Sequence, residues 1–180
     1  MKLFPLSLGL TMAMAGTSAF ANTGTINFEG RITSSTCPIE VVNPGDGSVG
    51  NLVKMGTVEA SRFTAIGEEY SGKRFALRVS DPVGCGLTGP AVAKVTFNGT
   101  ADTSGDYFAV TPTADNATGV AIVIKDQTGT AIKPGGESAE YALDPTLPTD
   151  MIFNAYYRST AATVTAGAAS ADVQFIVAII

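Results

Sequence analysis

The chain closes with "ADVQFIVAII", residues 171–180, in which Val173, Phe175, Val177 and Ile179 fall on one face and Gln174, Ile176 and Ala178 on the other. A period of two over this length specifies a strand that is buried on one side. An immunoglobulin-type sandwich closes its two sheets with about seven strands, and the last of them normally completes the core. Here no residue follows Ile180, so one wall of the core and one row of backbone N–H and C=O groups need a partner from elsewhere. Near the other end "NTGTINFEGRIT", residues 22–33, shows the reciprocal pattern, with Ile26, Phe28, Gly30 and Ile32 set against Thr25, Asn27, Glu29 and Arg31. The two segments either pair within one molecule or each joins a different one.

What precedes residue 22 reads as an export signal. "MKLFPLSLGLTMAMAGTSAFA" has Lys2 as its positive start, an apolar middle and Ala19-Phe20-Ala21 as a small-x-small cleavage site. The apolar stretch is interrupted by Pro5, Ser7, Thr11 and Gly16 and falls short of the roughly 20 residues a membrane span requires. The expected divisions are therefore residues 1–21 as signal peptide, 22–33 as an amino-terminal extension and 34–180 as one domain. A length of this order suits one domain with a real core.

Without Lys2, 10 basic residues face 16 acidic ones, and no run of Lys or Arg occurs beyond Lys73-Arg74. Such a chain has nothing with which to neutralise a phosphate backbone, so nucleic acid is not an expected partner. Two cysteines, Cys37 and Cys85, behind an export signal point to an oxidising compartment and one structural disulfide. Closing a loop of that size stabilises a domain by about 4 kcal/mol in the chain-entropy model.

Strand signals dominate the rest, bounded by Gly, Pro, Asn and Asp, and no stretch keeps a helical period. Expected strands include "CPIEVV" from residue 37, "LVKMGTV" over 52–58, and "RFALRVS", with Phe75, Leu77 and Val79 on one face. They continue with "AVAKVTFNG", "DYFAVTP", "GVAIVIKD" with a hairpin continuation "QTGTAI", a short piece over 140–143, and "MIFNAYYR". A single helical turn is expected over 58–63, and the Ala/Thr-rich tract 159–171 reads as the loop into the last strand. The fold class is all-β, an incomplete immunoglobulin-like sandwich.

Little in the chain suits catalysis. It has no His, which removes Ser-His and Cys-His pairs and imidazole metal ligands, and no EF-hand-like spacing of acids is present. No metal and no cofactor are expected, and the protein is not expected to be an enzyme. Glu68-Glu69 reads as a solvated edge, and Asp46 and Asp81 as turn residues that bond their own backbone. Asn98-Gly99-Thr100 and Asn116-Ala117-Thr118 fit the glycosylation triplet, which matters only in a cell with that machinery. Alternation through "IFNAYY" assigns one of Tyr156 and Tyr157 to the core and the other to the surface.

Taken together, "FEG" at residues 28–30, Cys37 soon after it, Cys85 several strands on, Gly167 fourteenth from the end and the alternating terminal strand resemble the pilin subunits of chaperone-usher fimbriae, close to the type 1 major subunit. "GVAIVIKDQTGTAI" and "NAYYRST" with "AGAASADVQF" are similar to stretches in the carboxyl half of that family, and the resemblance extends over essentially the whole chain. The sequence departs from it at Ile179, where the family usually carries Tyr.

The resemblance implies a structural subunit of a surface fimbrium, exported through the periplasm, that forms a homopolymer for adhesion and biofilm. In that mechanism a periplasmic chaperone lends a strand to the incomplete sandwich, and an outer-membrane usher exchanges it for the extension of the next subunit, a form of β-augmentation. Mapped onto this chain, Ile26, Phe28, Gly30 and Ile32 are the donor residues. The strand carrying Val173, Phe175, Val177 and Ile179 is the groove wall, with Gly167 before it, and the Ile180 carboxylate is offered to a basic residue of the chaperone. The alternatives are a minor or adaptor subunit, or a self-complemented secreted binding module. The short tether from Ile32 to Cys37 favours exchange between molecules.

Overall fold

A computed structural model describes residues 37–43 and 46–180, which belong to the unit Ser34–Ile180. The expected signal peptide, residues 1–21, and Ile26, Phe28, Gly30 and Ile32 lie outside the described residues. The described chain forms nine strands: β1 (Ile39–Val42), β2 (Glu69–Val79), β3 (Ala91–Gly99), β4 (Phe108–Ala109), β5 (Val120–Lys125), β6 (Ala131–Ile132), β7 (Tyr141–Leu143), β8 (Thr149–Ser159) and β9 (Val173–Ile179). One sheet runs β1-β2-β8-β5-β4, with β6 also on β5; the other runs β7-β3-β9. Every strand pair is antiparallel. The result is an all-β, immunoglobulin-like sandwich.

Alternation places the core. Phe75, Leu77 and Val79 of β2 and Met151, Phe153, Ala155 and Tyr157 of β8 are buried from one sheet, and Ala93, Val95 and Phe97 of β3 from the other. Phe153 joins the two layers, its ring 4.9 Å from Phe97, 5.5 Å from Phe75 and 5.2 Å from Tyr141. Offset and edge-on aromatic contacts of this kind add about 0.5–1.5 kcal/mol each beyond the area they bury. Tyr157 is buried and Tyr156 only partly so, as the alternation in β8 requires.

Two expectations are corrected. "LVKMGTV" does not form a strand: residues 52–58 are extended without a ladder, and Gly56 at φ +80° breaks the run. Val53 and Met55 still turn inward, which is the alternation that suggested a strand. Glu69 is not a solvated edge; it accepts from Lys125 Nζ at 2.6 Å and Arg158 Nη1 at 2.7 Å and holds β2, β5 and β8 together on one face of the sheet. Glu68 instead accepts from the backbone N–H of Thr64 and Ala65, bonds that hold its carboxyl below the usual carboxylate range.

The expected helical turn is the 3-10 turn Ala60–Arg62. Asp46 and Asp81 accept from the N–H of Ser48 and Gly84, 2.9 and 2.8 Å away. Cys37 and Cys85 are bonded, tying the start of β1 to the β2–β3 connection.

Candidate functional site: the open edge beside the last strand

β9 pairs with β3 along its whole length, from Ala93 opposite Ile179 to Gly99 opposite Val173. Its other side meets no strand among the described residues. Val173, Phe175, Val177 and Ile179 face the core from this edge, and each is only half-buried, whereas Val95 and Phe97 beside them on β3 are 0% and 2% exposed. The register therefore brings four of the expected groove residues onto one apolar face.

Val53 and Val58 in the extended segment after β1 pack against the same core and are also only partly buried. Ser71 fixes that segment. It sits at φ 59° in a bulge that shifts the β2–β8 register, and its hydroxyl donates to the Met55 carbonyl. Bulges re-aim a strand locally, and here one aims a side-chain donor at a neighbouring segment that has no ladder of its own.

Gly167 lies at the β9-start end of this edge. A Cβ there would come within 2.5 Å of the backbone of Asn116 and Ala117, so the loop approaches that backbone as only glycine permits. A parallel bridge from Asn116 to Ala168 and the Thr118–Thr165 hydroxyl contact at 2.7 Å clamp the loop in place. Between it and residues 56–63 lies a cavity of about 380 Å³ with Val58, Phe63, Tyr157 and Val164 among its walls. Burial raises the pKa of the Tyr157 hydroxyl, which donates to the Ala169 carbonyl at 3.0 Å.

Ile180 lies at the other end, 72% exposed, and its backbone exchanges hydrogen bonds with Val92 at 2.8 and 3.1 Å. The inward face of β9 carries no ionisable side chain. What the arrangement offers is an apolar track with an open backbone edge, suited to an extended segment with alternating apolar residues. Sequence reasoning missed Ser71 and Val53; the Val53/Met55 alternation marked the segment, but nothing in the sequence marked the bulge.

A model of the fimbrial protein family matches residues 26–179. A fimbrial subunit type 1 from Salmonella typhimurium is 35% identical over 158 residues, covering 85% of this chain and 80% of that protein. The crystal structure of a Burkholderia pseudomallei antigen and type I fimbria protein is similar at TM-score 0.56 and 31% identity, over 81% of this chain and 90% of the other. The P pilus rod subunit PapA shares the fold at TM-score 0.59 and 20% identity, over 81% of this chain and all of its own. With the fold, the disulfide and the open edge in place, the chain belongs to the fimbrial protein family and is a structural subunit of a fimbria.

Proposed function

We propose that this subunit polymerises head to tail by strand donation, residues 22–33 of one copy filling the edge beside β9 of the next. The observation that carries the reading is the half-exposed face of Val173, Phe175, Val177 and Ile179 beside an edge that meets no strand among the described residues. Ile26, Phe28, Gly30 and Ile32 present the same number of inward positions at the same spacing, about 20 Å of strand on each side. A strand added antiparallel to β9 with full overlap places Gly30 opposite Phe175, so the smallest donor position meets the largest acceptor side chain. Each large apolar side chain buried in this way contributes about 1.5–3 kcal/mol, and each backbone hydrogen bond about 0.5–1.5 kcal/mol.

The geometry also supports exchange over self-insertion. Cys37 is tied to Cys85, in the connection that leads to Ala91 and so toward the Ile179 end of β9. An antiparallel strand would leave at Val173, about 20 Å further along and a sheet spacing of about 10 Å across. The five residue steps from Ile32 to Cys37 reach at most about 18 Å.

In this reading residues 1–21 direct export into the periplasm and residues 34–180 form the pilin domain. A periplasmic chaperone first occupies the β9 edge and takes the Ile180 carboxylate, an outer-membrane usher exchanges it for the next subunit, and the role is not catalytic. The test is a chain beginning at Ser34. It is expected to be unstable or aggregated alone and to be rescued as a monomer of much higher melting temperature by the peptide NTGTINFEGRITSS. A stable monomer indifferent to the peptide would overturn the reading.

A further inference from the structure

The two ends of the sandwich carry different apolar surfaces. β8 runs between them, its 11 residues spanning roughly 33 Å. Where β8 begins, the Val79–Thr149 and Ala91–Leu143 pairs bring the β2–β3 and β7–β8 connections to the same end. Val83 and Leu147 stand on these connections, 71% and 62% exposed. The disulfide fixes Cys37 to Cys85 in the first of them, two residues on from Val83.

At the opposite end, Gly67 N–H donates to the Ser159 carbonyl and Ser159 Oγ donates to the Ala65 carbonyl at 2.6 Å. These bonds hold Ile66, 66% exposed, beside the residues that leave β8. That connection presents Ala162, Ala166 and Ala168 to solvent. It leads into Val173, where an antiparallel donor strand would leave the edge.

We propose that Val83 and Leu147 of one copy pack against Ile66 and the 162–168 loop of the next, forming a second contact between successive subunits that rests on the strand-donation reading. The tether enforces the meeting. With Ile32 seated near Val173 of the acceptor, at most about 18 Å of chain separates it from Cys37 of the donor copy, and Val83 lies beside that cysteine. Small side chains on the acceptor loop let the larger donor residues approach its backbone. The inserted strand holds the two copies together, and this contact sets the angle between them.

The experiment images fibres sheared from cells that produce the full chain. A Val83→Asp/Leu147→Asp variant is expected to yield fibres whose persistence length in electron micrographs falls severalfold, with the melting temperature of the strand-filled domain unchanged. Adding Ile66→Lys, which sets opposite charges across the same joint, is expected to recover part of the stiffness. Loss of fibres from the aspartate pair, with its 34–180 domain still taking up the 22–35 peptide, would overturn the contact's role as a setter of angle alone. Fibres of unchanged persistence length in the double variant would overturn it. Phe28→Asp separates the two ideas: wild-type fibres from that variant would overturn strand donation itself, whatever the aspartate pair does.

Discussion

Phe97 and Phe175 stand directly opposite one another in the β3–β9 ladder, yet Phe97 is 2% exposed and Phe175 only half-buried. The difference measures what the edge lacks. A fully buried Phe cut to Ala costs about 3–5 kcal/mol, and a half-buried one loses correspondingly less. Phe175→Ala is therefore expected to destabilise the peptide-filled 34–180 domain by about 3 kcal/mol, the low end of the range for a fully buried ring. Urea unfolding of the peptide-filled domain reads the loss, and a variant that keeps the parent's midpoint would show that no donor strand covers Phe175.

Phe28→Asp acts on the other partner. A carboxylate carried into an apolar track must be desolvated without a counter-charge, because the inward face of β9 offers none. The variant is expected to abolish polymers, scored by electron microscopy and by loss of slow-migrating bands in unheated gels, and a 22–35 peptide carrying Phe28→Asp is expected to leave the 34–180 domain unrescued.

Gly167 tests how the β9-start end is built. A side chain there meets the Asn116 and Ala117 backbone at 2.5 Å, and backbone cannot rotate away as a flexible side chain would. Gly167→Val is expected to lift the 160–169 loop and destabilise the domain by about 1–3 kcal/mol, the usual range for overpacking. Calorimetry checks the loss, and loss of protection at the Thr165 and Ala168 amides, which donate to Thr118 and Asp115, locates it.

Much of this architecture is legible in the sequence, because alternation decides which side of a strand is buried. β3 and β9 coincide with runs whose apolar residues recur every second position, β5 with a continuous apolar run buried on both faces, and the disulfide joins the chain's two cysteines as expected. What the sequence hides is long-range. The bulge at Ser71 follows from pairing β2 with β8, and Glu69 finds Lys125 and Arg158 only once three strands are side by side. Residues 52–58 misled for the same reason: their alternation is real, but a strand needs a ladder, and Gly56 prevents one.

Asp126 gives the domain an acid sensitivity that composition alone does not suggest. It is 3% exposed in the β5–β6 turn and accepts from Thr128 N–H at 2.9 Å, Thr128 Oγ1 at 2.6 Å, Thr130 N–H at 3.2 Å and Ala139 N–H at 2.9 Å. Burial by itself would raise its pKa, but these bonds to the charged form outweigh it and hold the group below the ordinary 3.8. A carboxyl depressed in the folded state stabilises at pH above its unfolded value, and that contribution is lost as pH falls through the folded one. Asp150, held down by Arg78 at 2.6 Å, acts in the same direction from the far side of the sheet. Asp126→Asn keeps the shape but not the charge. The variant is expected to be less stable than the parent at pH 7, with the gap closing as pH drops below about 4. Urea midpoints from pH 7 to pH 2 read the gap, and a constant difference would mean that Asp126 acts through shape alone, since only the lost charge ties its contribution to proton uptake.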